Sequence, residues 1–132
     1  MCKVGDIIII DSYKDNGTFI NKHSFVVLDD EDGEIQGLSY DLVCNVMSSF
    51  KNKQHKDKKL RFPGNFPITS DDKVTNPDNG KEGYIKAEQL YYFKKSKIDY
   101  QVIGRMNDES LEKLVRFIEN LDIDIKEIID NL

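Results

Sequence analysis

Residues 7–10 are four consecutive isoleucines, bounded by Gly5-Asp6 on one side and by Asp11 on the other. Isoleucine is β-branched, so its side chain loses conformational freedom in a helix and packs well on a pleated sheet. A membrane-spanning helix needs about 20 apolar residues, far more than this run supplies. The run therefore predicts a first β-strand over residues 5–11.

Two more segments read as strands in the first half of the chain. Residues 23–28 read HSFVVL, and their apolar second part predicts a second strand that begins at His23. Residues 35–47 alternate apolar and polar side chains with period two, which predicts a third strand with one buried face, ending at Ser48-Ser49. Its alternating apolar positions are Leu38, Tyr40, Leu42, Cys44 and Val46.

Shorter strands are predicted farther along the chain. Residues 60–69 are β-like but hold two prolines, which confine this segment to an edge or an irregular strand. Residues 83–93 predict two short strands joined by a turn at residues 87–88. Residues 98–103 predict one more strand, with Gly104 at its end.

The remaining segments have the composition of turns and loops. Asn16-Gly17 is a strong turn signal, and residues 29–34 form an acidic turn. Residues 51–61 are rich in lysine and are predicted to be a basic loop. The polar residues 70–80 are predicted to be a long mobile loop.

The C-terminal part has the signature of an amphipathic helix. Asn107 is a good N-cap, and Asp108 and Glu109 complement the helix dipole in the first turn. A second short helix is predicted around residues 125–129. The first helix has an apolar stripe that we expect to pack on the core, with partner binding as the alternative: Leu111, Leu114, Val115, Ile118 and Leu121.

Short strands followed by a terminal helix predict a mainly β, α+β fold shaped as a small half-open barrel. With 132 residues the chain is predicted to be one domain, residues 1–132, with the barrel over about 1–104 and the helices over about 107–131. Periodicity alone does not choose between an SH3-like barrel, an OB-like barrel and other small β folds.

The charge is strongly polarised along the chain. The net charge is −5, yet residues 51–61 carry six Lys/Arg and one Asp, and residues 107–132 carry eight Asp/Glu against three Lys/Arg. A basic segment on an acidic protein can concentrate a polyanion at one place while the rest repels it. The alternative is a solvated loop beside an acidic helix.

The cysteines and the N-terminal residues indicate the cellular compartment in which the protein works. Cys2 and Cys44 are far apart in sequence and form no CxxC motif, which is typical of a reduced, cytoplasmic protein. No signal peptide and no membrane span is predicted. Cys44 lies at an alternating strand position and is interpreted as a small buried side chain.

The histidines and serines suggest chemistry on a phosphodiester. His23 and His55 lie in unrelated contexts, so no metal site and no cofactor is predicted. RNA can be cut without metal, because its own 2′-hydroxyl attacks the adjacent phosphate when side chains move protons and stabilise charge. If strands two and three are antiparallel neighbours, His23 and Ser48 lie at the same end of the barrel.

The basic segment begins two residues after Ser49, so its side chains are predicted to hold phosphates at that same end. Tyr13, Phe19 and Phe50 are candidates for stacking bases. The alternative is a structural histidine and a serine pair that satisfies a turn. The predicted substrate-binding residues are Lys22, Ser49, Lys51, Lys53, His55, Lys56, Lys58 and Lys59.

In the order of its motifs, the chain resembles the MazF/PemK family of bacterial toxin endoribonucleases over nearly its full length. That family has a G-D-hydrophobic opening strand, an R-P-hydrophobic strand, a strand ending in a threonine before a basic loop, an E-Q-hydrophobic turn and a glycine before an acidic helix. The matching segments are Gly5–Ile8, His23–Leu28, Val46–Lys51, Tyr84–Leu90 and Ile103–Asp108.

This resemblance implies an SH3-like barrel of the MazF/PemK/CcdB type and a homodimer. It also implies metal-independent, sequence-specific cleavage of single-stranded RNA to a 2′,3′-cyclic phosphate, and a cognate antitoxin, either protein or RNA. The family's arginine and threonine roles fall on His23 as acid–base and on Ser48 as phosphate stabiliser.

Two departures from the family pattern keep a second function open. His23-Ser24 stands where the family has Arg-Pro, and Ser48 stands at its threonine. With an ordinary pKa of about 6.5, histidine suits proton transfer near neutrality but is a poorer fixed phosphate clamp than arginine. The alternative is a non-catalytic RNA- or protein-binding SH3-like barrel.

Overall fold

The computed structural model describes residues 2–75 and 82–132. Within them the chain is mainly β, with two α-helices and two short 3₁₀ helices at Ser70–Asp72 and Lys95–Lys97. The elements in chain order are β1 (Asp6–Asp15), β2 (Thr18–Asp29), β3 (Gly33–Ile35), β4 (Leu38–Tyr40), β5 (Leu42–Ser49), α1 (Lys53–Leu60), β6 (Asn65–Ile68), β7 (Lys73–Thr75), β8 (Gly83–Lys86), β9 (Gln89–Phe93), β10 (Tyr100–Met106), α2 (Asp108–Glu119) and β11 (Lys126–Ile128).

One large sheet carries nearly all the strands in the order β11-β9-β5-β2-β1-β10-β7, while β8 pairs with β5 and β6. The predicted turn at Asn16-Gly17 joins β1 to β2, and both residues have positive φ, at 53° and 77°. Such a pair matches the right-handed twist of a two-residue hairpin. No hydrogen-bonded pairing within the described ranges joins β7 to β11, so the mainly β fold with a C-terminal helix is confirmed without barrel closure.

Strand β5 lies at the centre of the sheet and is buried on both faces. Leu42–Met47 is buried at every position, so the predicted single buried face is wrong. One face belongs to a cluster with Ile8, Phe25 and Val27, and the other to a cluster with Ile7 and Val26. A central strand covered on both sides loses the alternation that marks a half-exposed one.

The period-two pattern before β5 has a different origin. Gln36 and Gly37 have positive φ, at 51° and 81°, and close a separate hairpin of β3 and β4. The predicted third strand therefore combined this hairpin with β5, whose predicted end at Ser49 is confirmed. His23 also lies inside β2 rather than at its start, because β2 begins at Thr18.

The predicted basic loop is a helix. Helix α1 begins after Asn52, whose side-chain oxygen accepts a hydrogen bond from the backbone N–H of His55 at 2.8 Å. Lysine is a good helix former, and an N-cap of this kind stabilises a helix by about 1 kcal/mol. None of its residues is buried, so it has no apolar stripe by which periodicity would reveal it.

The C-terminal prediction is confirmed for α2 and wrong after it. Asn107 caps α2 by accepting from the backbone N–H of Ser110 at 2.8 Å. Leu114 is buried in the cluster that holds Ile7, and the rest of the stripe packs there except Val115, which is 40% exposed. Residues 126–128 form the strand β11, parallel to β9, where a second helix was predicted.

Three further segments differ in part from their predictions. The two strands of 83–93 and the turn between them are confirmed. The predicted last strand is β10, which continues through Gly104 to Met106. In the predicted loop 70–80, residues 70–75 form a 3₁₀ helix and β7, and the rest lies outside the described residues.

A candidate phosphate-binding cleft

The pairing of β2 with β5 brings the two predicted catalytic residues together. The strands are antiparallel neighbours, and Ser24 opposite Met47 is their outermost hydrogen-bonded pair. His23 and Ser48 are the next residues outward along the two strands, and both line the cleft that opens there. The two residues thus lie at the same end of these strands, as predicted, and border one cleft.

Beyond this point the strands separate and a cleft opens between them. Strand β2 continues beside β1, whereas the end of β5 pairs with β8, Ser48 opposite Tyr84 and Ser49 opposite Gly83. A Cβ on Gly83 would lie 2.2 Å from the carbonyl oxygen of Ser48, so only glycine allows this approach. The cleft has a volume of about 610 Å³.

The charged side chains around this cleft are all basic. Four lysines line it: Lys22, Lys51, Lys59 and Lys73. Among the described lining residues there is no aspartate and no glutamate. Such a cleft attracts a polyanion even on a protein of net negative charge, because local fields decide what binds.

Helix α1 divides the predicted lysines into three groups. Lys51, before the helix, and Lys59, within it, line the cleft together with His55, and Lys51 lines a second cavity as well. Lys53 and Lys56 line only that second cavity, which has a volume of about 830 Å³. Lys58 lines neither cavity. The predicted set of loop lysines is thus only partly gathered at His23 and Ser48.

The His23 ring is half-buried and fixed on one side. Its Nδ1 lies 2.9 Å from the backbone carbonyl oxygen of Asn21, to which it donates a hydrogen bond, and its ring meets Tyr13 edge-on at 5.9 Å. A ring that donates from Nδ1 has Nε2 available as a proton acceptor when it is neutral. This is the protonation pattern that a general base needs.

His55 is oriented by the backbone at the start of α1. Its Nδ1 accepts a hydrogen bond from the backbone N–H of Lys51 at 3.1 Å, and its ring lies 6.3 Å from those of Phe50 and Tyr84. Partial burial, and then the charges of Lys59, Lys51 and Lys58, lower the pKa of His55. His55 therefore stays neutral to lower pH than an ordinary histidine.

The three aromatic candidates for base stacking have different surroundings. Tyr13 is only 4% exposed within the core, so the prediction that it stacks bases is wrong; burial, reinforced by Asp15, raises its pKa to about 12. Phe19 is 71% exposed but sits on the β1–β2 hairpin and does not line the cleft. Phe50 stacks on Tyr84 at 5.2 Å beside the second cavity.

Sequence reasoning missed several residues that line the cleft. Lys73 and Thr75 come from β7, in a segment that was predicted to be a loop, and Tyr84 comes from β8. No local motif marks these residues, since they reach the cleft only through the pairing of distant strands. Ser24, next to His23, was noted only as a departure from the family pattern.

The described residues were also compared with the requirements of a metal site and of a membrane-spanning helix. They contain no group of three or more His, Cys, Asp or Glu side chains that could hold a metal ion. None of the described helices combines the length and apolar character that crossing a membrane requires. The predicted burial of Cys44 is confirmed, and Cys2 is buried as well.

Comparison with known proteins identifies a family. No curated protein and no solved structure matches the chain. A protein-family model matches residues 3–121, from before β1 to the residues just after α2, and thus includes both sides of the cleft. Its description is PemK-like, MazF-like toxin of type II toxin-antitoxin system. Because the match covers nearly the whole chain, the protein belongs to this PemK-like, MazF-like toxin family.

Proposed function

We propose that the protein is a toxin that cleaves single-stranded RNA in the cleft between β2 and β8, without a metal ion. The observation that carries this proposal is that four lysines and two histidines line one cleft that has no carboxylate among its described lining residues. Lysines attract phosphates, and neutral histidines move protons near neutral pH. Family membership supports the toxin role and implies a cognate antitoxin as partner.

The proposed reaction begins at the 2′-hydroxyl of the RNA. His23 accepts its proton at Nε2, the 2′-oxygen attacks the adjacent phosphorus, and the bond from phosphorus to the 5′-oxygen breaks. Ser48, which lines the same cleft at the end of β5, donates a hydrogen bond to the phosphate as negative charge develops. Lys22 and Lys59 hold the flanking backbone. The products are a 2′,3′-cyclic phosphate and a 5′-hydroxyl end.

The fold and the cellular setting are parts of the same proposal. We take the open sheet to correspond to the SH3-like barrel of this family, acting as a homodimer in the cytoplasm on messenger RNA at short sequences. Neutralisation by the antitoxin follows from the toxin role.

The test is cleavage of a mixed-sequence RNA by the purified protein in the presence of EDTA. We expect products that end in a 2′,3′-cyclic phosphate by mass spectrometry. Loss of a general base typically costs 10²- to 10⁴-fold in rate, so we expect a loss of about that size for His23→Ala. The matched control is Lys97→Gln, which removes an exposed charge in the second 3₁₀ helix that lines neither cavity, and it should keep the wild-type rate. RNA left intact by the wild-type protein would refute the proposal.

A non-catalytic RNA-binding domain is the second candidate, because the lysine-lined cleft could bind RNA without cutting it. The ring of His23 would then serve only to pack against Tyr13. In that case His23→Ala leaves RNA affinity nearly unchanged and no cyclic phosphate forms. Affinity measured by fluorescence anisotropy alongside the cleavage assay separates the two functions.

A further inference from the structure

We propose that His55 is a fixed neutral hydrogen-bond donor in the cleft, and that its Nε2–H contacts a non-bridging oxygen of the phosphate being cleaved. This inference rests on the proposed function and adds a second histidine, with a role opposite to that of His23. Lys51 and Asn52 are the residues that impose this role on His55.

The hydrogen bond from Lys51 fixes the position of the proton on the His55 ring. The backbone N–H of Lys51 donates to Nδ1 of His55 at 3.1 Å, and an N–H can donate only to a nitrogen that has no proton. The neutral ring therefore has its proton on Nε2. His23 shows the reverse arrangement, because its Nδ1 must donate to the carbonyl oxygen of Asn21. The two histidines of one cleft are thus held in opposite tautomers.

Three features of its surroundings keep His55 neutral. An imidazolium has protons on both nitrogens and would lose the hydrogen bond from Lys51. His55 is the third residue of α1, where the positive end of the helix dipole disfavours a further positive charge. Partial burial, and then the charges of Lys59, Lys51 and Lys58, lower the pKa of His55, and its ring also meets the ionisable Tyr84.

The Nε2–H of His55 is free to bind a ligand in the cleft. The backbone N–H of His55 is already bound by Asn52, and the ring edges of Phe50 and Tyr84 hold its plane. Among the described residues Nε2 has no acceptor, although the residue lines the cleft. Lys59, one turn farther along α1, lines the same cleft. An anion bound in the cleft would therefore contact the neutral Nε2–H of His55 beside the ammonium group of Lys59.

The two histidines then divide the reaction between them. His23 takes the proton of the 2′-hydroxyl, the 2′-oxygen forms its bond to phosphorus, and the 5′-oxygen leaves and takes a proton from solvent water. His23 afterwards returns its proton to solvent, so protons balance. His55 exchanges no proton and stabilises charge on the phosphate throughout, as a preorganised donor does.

Nuclear magnetic resonance of the uniformly ¹⁵N-labelled full-length protein at pH 7.5 or above tests the tautomers directly. We expect the long-range ¹H–¹⁵N pattern of His55 to show a protonated Nε2 and that of His23 a protonated Nδ1. Titration with inorganic phosphate should shift the Nε2 resonance of His55. The same tautomer in both rings, or an unprotonated Nε2 in His55, would overturn the proposal.

Cleavage of an RNA with a single phosphorothioate at the scissile position tests the contact. Sulfur is a poor hydrogen-bond acceptor, so one stereoisomer should react about tenfold more slowly than the other in the wild type. His55→Asn keeps an acceptor for Lys51 but lacks the Nε2–H, so it should lose this difference between stereoisomers. His55→Gln, which offers an amide N–H near that position, should recover part of the rate.

The two proposals fail in different ways. If the wild type cleaves RNA and His55→Asn keeps both its rate and its preference between stereoisomers, the role of His55 is wrong and the nuclease stands. If the wild type leaves RNA intact, the nuclease is wrong. The tautomers and the phosphate titration then still decide whether His55 is a neutral anion donor.

Discussion

At the scale of single residues, the direction of a side chain on α1 decides what it can do. Lys58 and Lys59 are neighbours in sequence with the same charge, yet only Lys59 lines the cleft. Successive helical residues point about 100° apart, so identical side chains on one short helix face different surroundings. The number of lysines in a segment therefore overstates how many meet the ligand.

This difference predicts unequal effects of two matched substitutions on RNA binding. Each phosphate contact to a single strand contributes about 0.7 to the slope of log affinity against log salt concentration. Lys59→Gln should reduce the slope by about that amount, whereas Lys58→Gln should leave it nearly unchanged. Fluorescence anisotropy with a short single-stranded RNA across a salt series gives both slopes. Equal reductions would show that the lysines act only as a diffuse charge.

At the scale of elements, the start of α2 is tied to the 3₁₀ helix before β7. The carboxylate of Asp72 accepts hydrogen bonds from the backbone N–H of Thr69 and from the hydroxyl of Ser110, both at 2.7 Å. The backbone N–H of Asn107 donates to the carbonyl oxygen of Asp72 at 2.9 Å. One acidic residue thus joins two elements and holds the segment that leads into Lys73.

The lowered pKa of Asp72 predicts that the stability contributed by this junction depends on pH. Partial burial acts to raise that pKa, but hydrogen bonds from Thr69 and Ser110 and the charge of Lys113 lower it overall, below the ordinary 3.8. A carboxyl with a lowered pKa in the folded state stabilises that state above pH 3.8, and this contribution is lost as the pH falls through the folded value.

Asp72→Asn should therefore reduce the free energy of unfolding by about 1–3 kcal/mol at pH 7, and by progressively less below pH 3.8. Urea unfolding across this pH range measures both effects. The matched control is Asp71→Asn, since Asp71 is exposed and no residue in the described part of the chain donates a hydrogen bond to its carboxylate. A loss of stability for Asp72→Asn that does not change with pH would contradict this origin.

At the scale of the whole molecule, the C-terminal segment contacts β9, the core and the end of β1. Strand β11 adds to the edge of the sheet beside β9, and Ile128 enters the core cluster that contains Phe25. The side chain of Asn131 exchanges two hydrogen bonds with the backbone of Lys14, at 2.7 and 3.0 Å. These contacts lie beyond residue 121, where the family match ends.

The segment after α2 should accordingly contribute to the stability of the whole domain. Ile128 is 3% exposed, and Ile128→Ala should reduce the free energy of unfolding by about 2–5 kcal/mol through lost burial and a residual cavity. Ile125, which is 36% exposed, provides the control, and Ile125→Ala should cost about 0.5 kcal/mol or less. Thermal and urea unfolding compare the two variants; similar losses would mean that β11 adds no specific burial.

The sequence by itself determined the features that depend on neighbouring residues. The isoleucine run, the Asn16-Gly17 turn and the Asn107 cap depend only on residues within a few positions, so the first strand, the turn after it and α2 were predicted, although β1 and β2 extend to that turn where shorter strands were expected. The juxtaposition of His23 and Ser48 was also predicted, because it needs only one antiparallel pairing of two recognisable strands. The SH3-like barrel was expected from resemblance, whereas the described strands show an open sheet.

The tertiary structure alone decided what depends on distant residues. Segment 126–128 became a strand because the edge of β9 offered backbone partners, and the alternation expected of β5 vanished because both of its faces are covered. Lys73 joined the cleft through the pairing of β7 with β10, which no local pattern encodes. The position of the proton on the His55 ring likewise depends on the backbone N–H of Lys51, which reaches Nδ1 only in the folded turn. Local propensity selects turns and caps, but burial and long-range pairing select which side chains meet.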